Sequence, residues 1–473
     1  MTSIGIIGTG FGGIGTAVEL LTHGYDDVRL WERANELGGV WRDNTYPGSG
    51  CDVPGPLYSF SFAPSERWTR RYPAQSEILT YLRDVADRYA ITPRCRFGAR
   101  VVAARRDAAD ERWDVTFDDG STETVDVLVS AVGQLSEPSA PPVEGWESFA
   151  GPVLHAGTWD SSVDLAGRRI AVVGTGASAI QLVPRLAEIA SELVVVQRSA
   201  QHLLPKLDGG YPHWYRAWAA RERRPIDWIT QQFSRGLDPT SGVAAFIERL
   251  AAAQRRVQVR DDELRRALTP RHQIGCKRIL FSNDYYPTLA RPHVRLVPHA
   301  MTGVRPDAIG TADGAWHDVD AICFATGFDT QDFLHGIDVT GPGGALGDVW
   351  RDGARAHLGI HVPGFTNLFL AYGPNTNLGG GSIITMLEAQ ARHIRSVLDV
   401  MGRRGARRVQ ARPEAEQRWD DHVQRELEKS AWASCASWYR LDGTGRITSN
   451  WPGGTHAYER VVAEVREEDF AWT

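Results

Sequence analysis

The hydrophobic pattern opens with a short apolar run, Ile4-Gly5-Ile6-Ile7, too short for a helix and free of polar residues. Such a run predicts a strand buried on both faces of a parallel sheet. Glycine crowds the next segment, Gly8-Thr9-Gly10-Phe11-Gly12-Gly13, and Ala17, Val18, Leu20 and Leu21 then recur at helical spacing. A second strand, Val28 to Trp31, ends in Glu32. The same order returns further along. Arg169 to Val173 is another apolar strand, Gly174-Thr175-Gly176-Ala177-Ser178-Ala179 another glycine turn opening a helix, and Leu193 to Val196 the next strand, here ending in Gln197-Arg198.

A strand, a glycine turn and a helix together make an anion site. Gly8 permits the sharp turn, Gly10 lets backbone approach a pyrophosphate, and Gly13 allows close packing of the helix, whose first N–H groups point at the anion. In the second turn Gly174 and Gly176 keep the first two roles and Ala179 takes the third place. The residue at the end of the second strand separates the two sites. Glu32 is placed to accept hydrogen bonds from ribose hydroxyls, whereas Arg198 is placed to pair with a 2′-phosphate. The first site therefore reads as an FAD site, with Gly38-Gly39 and then Val40 and Trp41 supplying flexible backbone and an aromatic plane, and the second as an NADPH site. Two such cradles in one chain imply hydride transfer from NADPH to a flavin.

Prolines 138, 141 and 142 mark a first crossing between domains, and Phe324 to Phe328 the return. The predicted fold is α/β with two Rossmann-like domains. Residues 1–140 and 325–473 form a discontinuous FAD domain, and residues 150–324 an NADP domain inserted in it. Within the insert, residues 203–270 break the pattern with Trp214, Trp218, Trp228 and the helical stretch Ala244 to Val257, and read as a helical subdomain. This nesting would let Glu32 and the Gly373-Pro374-Asn375 turn meet around one flavin.

Composition narrows the class. At 473 residues, 42% hydrophobic, 23% charged and a formal charge of −6 without long charged blocks, the chain is a soluble globular protein with no signature for nucleic acid. The uncharged N-terminus lacks a basic leader and is rich in glycine, and no other long apolar span is present, so no membrane partner is expected. Cys51, Cys95, Cys276, Cys323 and Cys435 are odd in number, scattered, and without CxxC or metal-ligand spacing. They read as reduced thiols in a cytoplasmic protein, which removes a dithiol reductase from consideration and leaves no metal site.

Between the two cradles, Phe149, Gly151, His155, Trp159 and Asp160 fit the pattern FxGxxxHxxxW(P/D) at every specified position. This resembles the fingerprint of Baeyer-Villiger monooxygenases. Tyr46 to Asp52, Gly133 to Ser136, Lys277-Arg278, Asp284-Tyr285-Tyr286, Phe324 to Phe328, Asn367 to Asn375 and Ser437-Trp438-Tyr439 also resemble that family, the last two its branch acting on aryl and steroid-like ketones. The resemblance implies that NADPH reduces FAD, that O2 forms a C4a-peroxyflavin, and that this attacks a ketone to give an ester or lactone. It implies Arg278 as the catalytic cation with Asp52 as its partner. Tyr58, Val101 and Gln134 join the FAD site, and Lys277, Ser178 and Trp438 the NADP site. His155 braces the hinge rather than moving protons. The rival readings are heteroatom oxygenation by a flavin-containing monooxygenase of the same fold, whose fingerprint ends in an aromatic-basic pair, and a cofactor-binding sensor without turnover. A monomer or weak homodimer is expected.

Overall fold

The computed structural model describes residues 2–106, 112–141, 143–234 and 238–473; of the positions singled out above, Pro142 lies outside them. Ile4–Ile7 is a strand with every residue buried, as an apolar run flanked by helices on both sheet faces must be. It forms the middle of a five-stranded parallel sheet, between Val28–Trp31 and Val127–Ser130, with Ile4 opposite Val28 and Val127. Cys95–Arg96 extends one edge and Leu368–Leu370 the other, so the C-terminal part of the chain completes a sheet begun at the N-terminus. Helix Phe11–Thr22 crosses this sheet and is covered by helix Ile383–Arg404, where the Arg395 guanidinium donates to Glu19 at 2.8 Å.

The second parallel sheet has the order Val294–Val297, Glu192–Val196, Arg169–Val173, Ala321–Phe324, Val153–His155. Between the sheets the two crossing segments run side by side: Ser139 donates its N–H to Gly327 at 3.1 Å and Asp329 donates to Glu137 at 2.8 Å. The chain therefore passes between the sheets on a paired ribbon, a narrow joint that two large bodies can turn about.

A further five-stranded sheet and a three-stranded one were not anticipated from the sequence. Val101–Arg105, Trp113–Phe117 and Thr122–Val125 form an antiparallel meander that Asp338–Gly341 joins, and Met301–Arg305, Ala308–Thr311 and Trp316–Asp318 form another. Their alternating patterns are short and were hidden among loops. The insert from 203 to 270 is helical over His213–Ala219, Arg223–Ser234, Gly242–Gln258 and Asp262–Ala267. It docks on the first sheet's half, where the Arg223 guanidinium donates to the Ser59 carbonyl at 2.6 Å and His456 meets Asp227 at 2.8 Å. Trp214, Trp218 and Trp228 are 75, 59 and 65% exposed and so fill no core.

The expectation of five reduced thiols is corrected. Cys276 and Cys435 are joined by a disulfide across 159 residues, a separation at which spacing carries no signal, while Cys51, Cys95 and Cys323 are free. Among the described residues no helix is long and apolar enough to cross a membrane.

Candidate active site

The first glycine turn opens into a cleft. Gly8, Gly10, Glu32, Val40, Trp41, Tyr58, Val101 and Gln134 all line it, drawn from segments more than 100 residues apart. Gly13 lies beneath: a Cβ there would stand 1.9 Å from the Gly8 carbonyl oxygen, so the helix can approach the turn only without a side chain. Gly8 has φ +104°, a region L side chains avoid. The helix N-cap Gly10 brings no side-chain hydrogen bond to the first turn, which leaves those N–H groups for an anion.

Glu32 is 4% exposed, and protein hydrogen bonds hold its charge. Thr9 donates to it from backbone (3.1 Å) and hydroxyl (2.6 Å), Ala34 donates its N–H, and Arg42 pairs with it at 2.9 Å. Thr9 and Arg42 thus belong to the site, and the sequence pattern marks neither. Ala371 and Tyr372 line the same cleft, whereas Gly373-Pro374-Asn375 lies behind it, with Asn375 buried and donating to the Ile447 and Asn450 carbonyls. The expected meeting of that turn with Glu32 is therefore made by its two predecessors. Tyr372 holds φ +72°, unusual for a bulky residue, and is fixed there by Gln390 accepting its N–H at 2.9 Å.

The second turn repeats the first. Gly174 has φ +123°, and a Cβ on it would meet the Ala325 carbonyl at 2.4 Å. Helix Ala177–Leu186, carrying Ser178 and the buried Ala179, starts from Gly176 without a side-chain cap. Thr175 donates to the Ser199 carbonyl at 2.8 Å, and Lys277 reaches the Ser199 hydroxyl at 2.6 Å. Arg198 is exposed beside them, and burial together with the Arg198 charge lowers the Lys277 pKa. Two cations are thus gathered at the strand end opposite the glycine turn.

Arg278 and Asp52 meet between the halves, Nη2 to Oδ1 at 2.7 Å. Asp52 is carried by the Tyr46–Asp52 loop, which leaves the first half to pack on helix Ala177–Leu186: Tyr46 donates to Gln181 at 2.7 Å and Gln181 donates to the Gly50 carbonyl at 3.0 Å. Asp52 holds the guanidinium firmly charged, outweighing the cost of the protein packed around it. The side chain is still 46% exposed, because it faces the opening between the halves. The charge of Arg278 also reaches Tyr372 in the cleft wall and Tyr439, whose hydroxyl burial pushes up to about 12.

A model of flavin-binding monooxygenase-like proteins matches residues 1–336 of the chain. The Baeyer-Villiger monooxygenase of Streptomyces coelicolor is 40% identical over 99% of this chain and 91% of its own length, and that of Pseudomonas aeruginosa 35% identical over 98% and 89%. The chain belongs to the Baeyer-Villiger monooxygenase family. Its fold matches a steroid monooxygenase bound to NADP with a TM-score of 0.90, at 30% identity over 100% of this chain and 99% of that one. Cyclohexanone monooxygenase from Rhodococcus, also bound to NADP, matches at 0.89 and 26% identity over the same shares.

The fingerprint of this Baeyer-Villiger monooxygenase lies at the edge of the second sheet, where His155 reaches the return crossing. Phe149 is buried, and a Cβ on Gly151 would strike the Asp320 carbonyl at 2.3 Å. His155 accepts the Gly157 N–H on Nδ1 at 3.0 Å, which leaves the proton of the neutral ring on Nε2, 3.4 Å from Thr326 of the return crossing. Burial lowers its pKa and keeps it neutral. Trp159 packs on the second sheet's core, and Asp160 accepts from Ser162 in a local turn. Trp438 is 41% exposed; its carbonyl accepts from Thr330 and Gln331, and its ring packs on Tyr439 with centroids 4.1 Å apart.

Proposed function

We infer that Arg278, held by Asp52 where the two halves meet, is the cation that this monooxygenase brings to the oxygen-transfer step. The protein is an FAD- and NADPH-dependent monooxygenase that converts a ketone to an ester or lactone. The single observation carrying the residue assignment is the 2.7 Å pair beside the Tyr58 and Tyr372 end of the cleft, with one member from each half.

The residues fit both cofactors. Gly8, Gly10 and Gly13 with the uncapped helix start at Phe11 would hold the FAD pyrophosphate, and Glu32, on the cleft wall, would take a ribose hydroxyl in place of one of its protein donors. Val40, Trp41, Tyr58, Val101 and Gln134 would enclose the flavin. Gly174, Thr175, Gly176, Ser178 and Ala179 would hold the NADPH pyrophosphate, with Arg198 and Lys277 on the 2′-phosphate. When bound, the flavin supplies electron transfer and activation of O2. Arg278 stabilises negative charge developing near the substrate carbonyl. Asp52 fixes the plane of its guanidinium, and His155 keeps the joint neutral and braced.

The test is a panel of cyclic, aryl and polycyclic ketones with one sulfide, products assigned by mass. Ester from at least one ketone class is expected. Sulfoxide alone, with every ketone unchanged, would transfer Arg278 to another role.

A further inference from the structure

Cys276 immediately precedes Lys277 and Arg278, and Cys435 lies shortly before Trp438 and Tyr439. Their bond, with Cα atoms 5.9 Å apart, ties the strap carrying both cations to the C-terminal tail. The tail is in turn fastened to the return crossing, since the Trp438 carbonyl accepts from Thr330 and Gln331. Ser434 and Gln273 meet on the same seam at 3.4 Å. One covalent link thus spans the second half, the tail of the first half and the joint between them.

We propose that Cys276 and Cys435 form a reversible thiol–disulfide site whose oxidised state clamps the strap onto the tail and tightens the hold on the nicotinamide dinucleotide. The surroundings favour reaction at this pair over the other thiols. Lys277 and Arg278 adjoin Cys276, whose sulfur is bonded to that of Cys435, so cations stand beside the pair and favour thiolate there. Cys435 is part-buried between exposed Ser434 and exposed Ala436, so a small oxidant reaches it from that surface. Cys51 and Cys323 are buried, and burial raises both thiols well out of the reactive range; Cys95 is held at about 12 by burial and by the charge of Glu32; Cys276 is buried as well, and is reached through Cys435.

The chemistry balances with hydrogen peroxide as oxidant. The Cys435 thiolate attacks one peroxide oxygen, giving a sulfenic acid and releasing water after proton uptake. The Cys276 sulfur then displaces the sulfenic oxygen as a second water, so the two thiols lose two electrons and two protons and peroxide is reduced to two waters. A dithiol reductant reverses it, its own sulfurs becoming the disulfide.

The effect on dinucleotide affinity rests on the reading of Arg198 and Lys277 as the 2′-phosphate site, so the test separates the two. The FAD-loaded protein is treated with hydrogen peroxide or with dithiothreitol, digested without reduction, and weighed. A linked peptide containing Cys276 and Cys435 is expected after peroxide and is lost after dithiothreitol. Its failure to form overturns the site. NADP+ and NAD+ are then titrated calorimetrically into both forms and into the C276S/C435S double variant. Oxidised wild type should hold NADP+ about fivefold or more tightly than reduced, with the variant insensitive to treatment. Equal affinity in both forms, with the linked peptide present, overturns the clamp. Equal affinity for NADP+ and NAD+ counts against the 2′-phosphate reading alone, because a redox-dependent affinity for either dinucleotide still reports the clamp.

Discussion

The two glycine turns are nearly the same object. Their helix caps share backbone angles, φ −80° and ψ −166° at Gly10 against φ −77° and ψ −169° at Gly176. Threonine follows the first glycine in each and ties the turn to the end of the next strand, Thr9 to Glu32 and Thr175 to the Ser199 carbonyl. The difference lies at that strand end. Glu32 is buried and held by Thr9 and Arg42 at the cleft wall, whereas Arg198 is exposed. A buried acid suits a cofactor that is enclosed and stays, and an exposed cation suits one that enters and leaves. On the function proposed above, the two cradles would hold pyrophosphate alike and the strand end would discriminate.

The largest expected effect is at the meeting of the halves. Arg278→Ala should leave flavin bleaching by NADPH intact while ester formation falls about 10²–10³-fold, the usual consequence of removing one preorganised charge. Stopped-flow reduction and product mass measure the two steps, and matched losses in both would place Arg278 in the dinucleotide site instead. The next contrast is between Gly13 and Ala179. Gly13→Ala drives a methyl into the Gly8 carbonyl and should cost about 1–3 kcal/mol by overpacking, seen as a lower Tm and loss of FAD. Ala179→Gly costs only about 0.5–1 kcal/mol of helix propensity, and equal effects in thermal melts would mean that the two cradles are not packed differently.

Arg198→Ala should lower the kcat/KM preference for NADPH over NADH about tenfold, the lower end for a charge-assisted contact because the side chain is exposed. An unchanged ratio moves the 2′-phosphate elsewhere. The smallest effect is on pH. Burial and Arg198 depress the Lys277 pKa, so its charge is lost before that of an ordinary lysine as pH rises. The NADPH preference should therefore fall on the alkaline side while FAD retention stays flat. A preference that rises with pH would remove Lys277 from the phosphate.

Both cradles were legible because each is contiguous: strand, turn, helix and strand end lie within about 30 residues, and local periodicity reports them. Arg42 and Tyr372 were not, since their roles come from neighbours far away, Glu32 for one and the cleft wall with Gln390 for the other. Arg278 and Asp52 were reached through family resemblance, as a lysine-arginine pair and an aspartate after a glycine run carry no local sign of each other.

The sequence alone determined the two glycine turns between strand and helix, the charged residue at the end of each following strand, and the fingerprint between them, because short-range backbone and side-chain rules decide all three. Only the tertiary structure decided that residues 226 apart meet at 2.7 Å and that Cys276 finds Cys435. It also left three tryptophans of the insert facing solvent. Contacts of that kind depend on how the two sheets and the tail are set against one another, and no pattern along the chain records that placement.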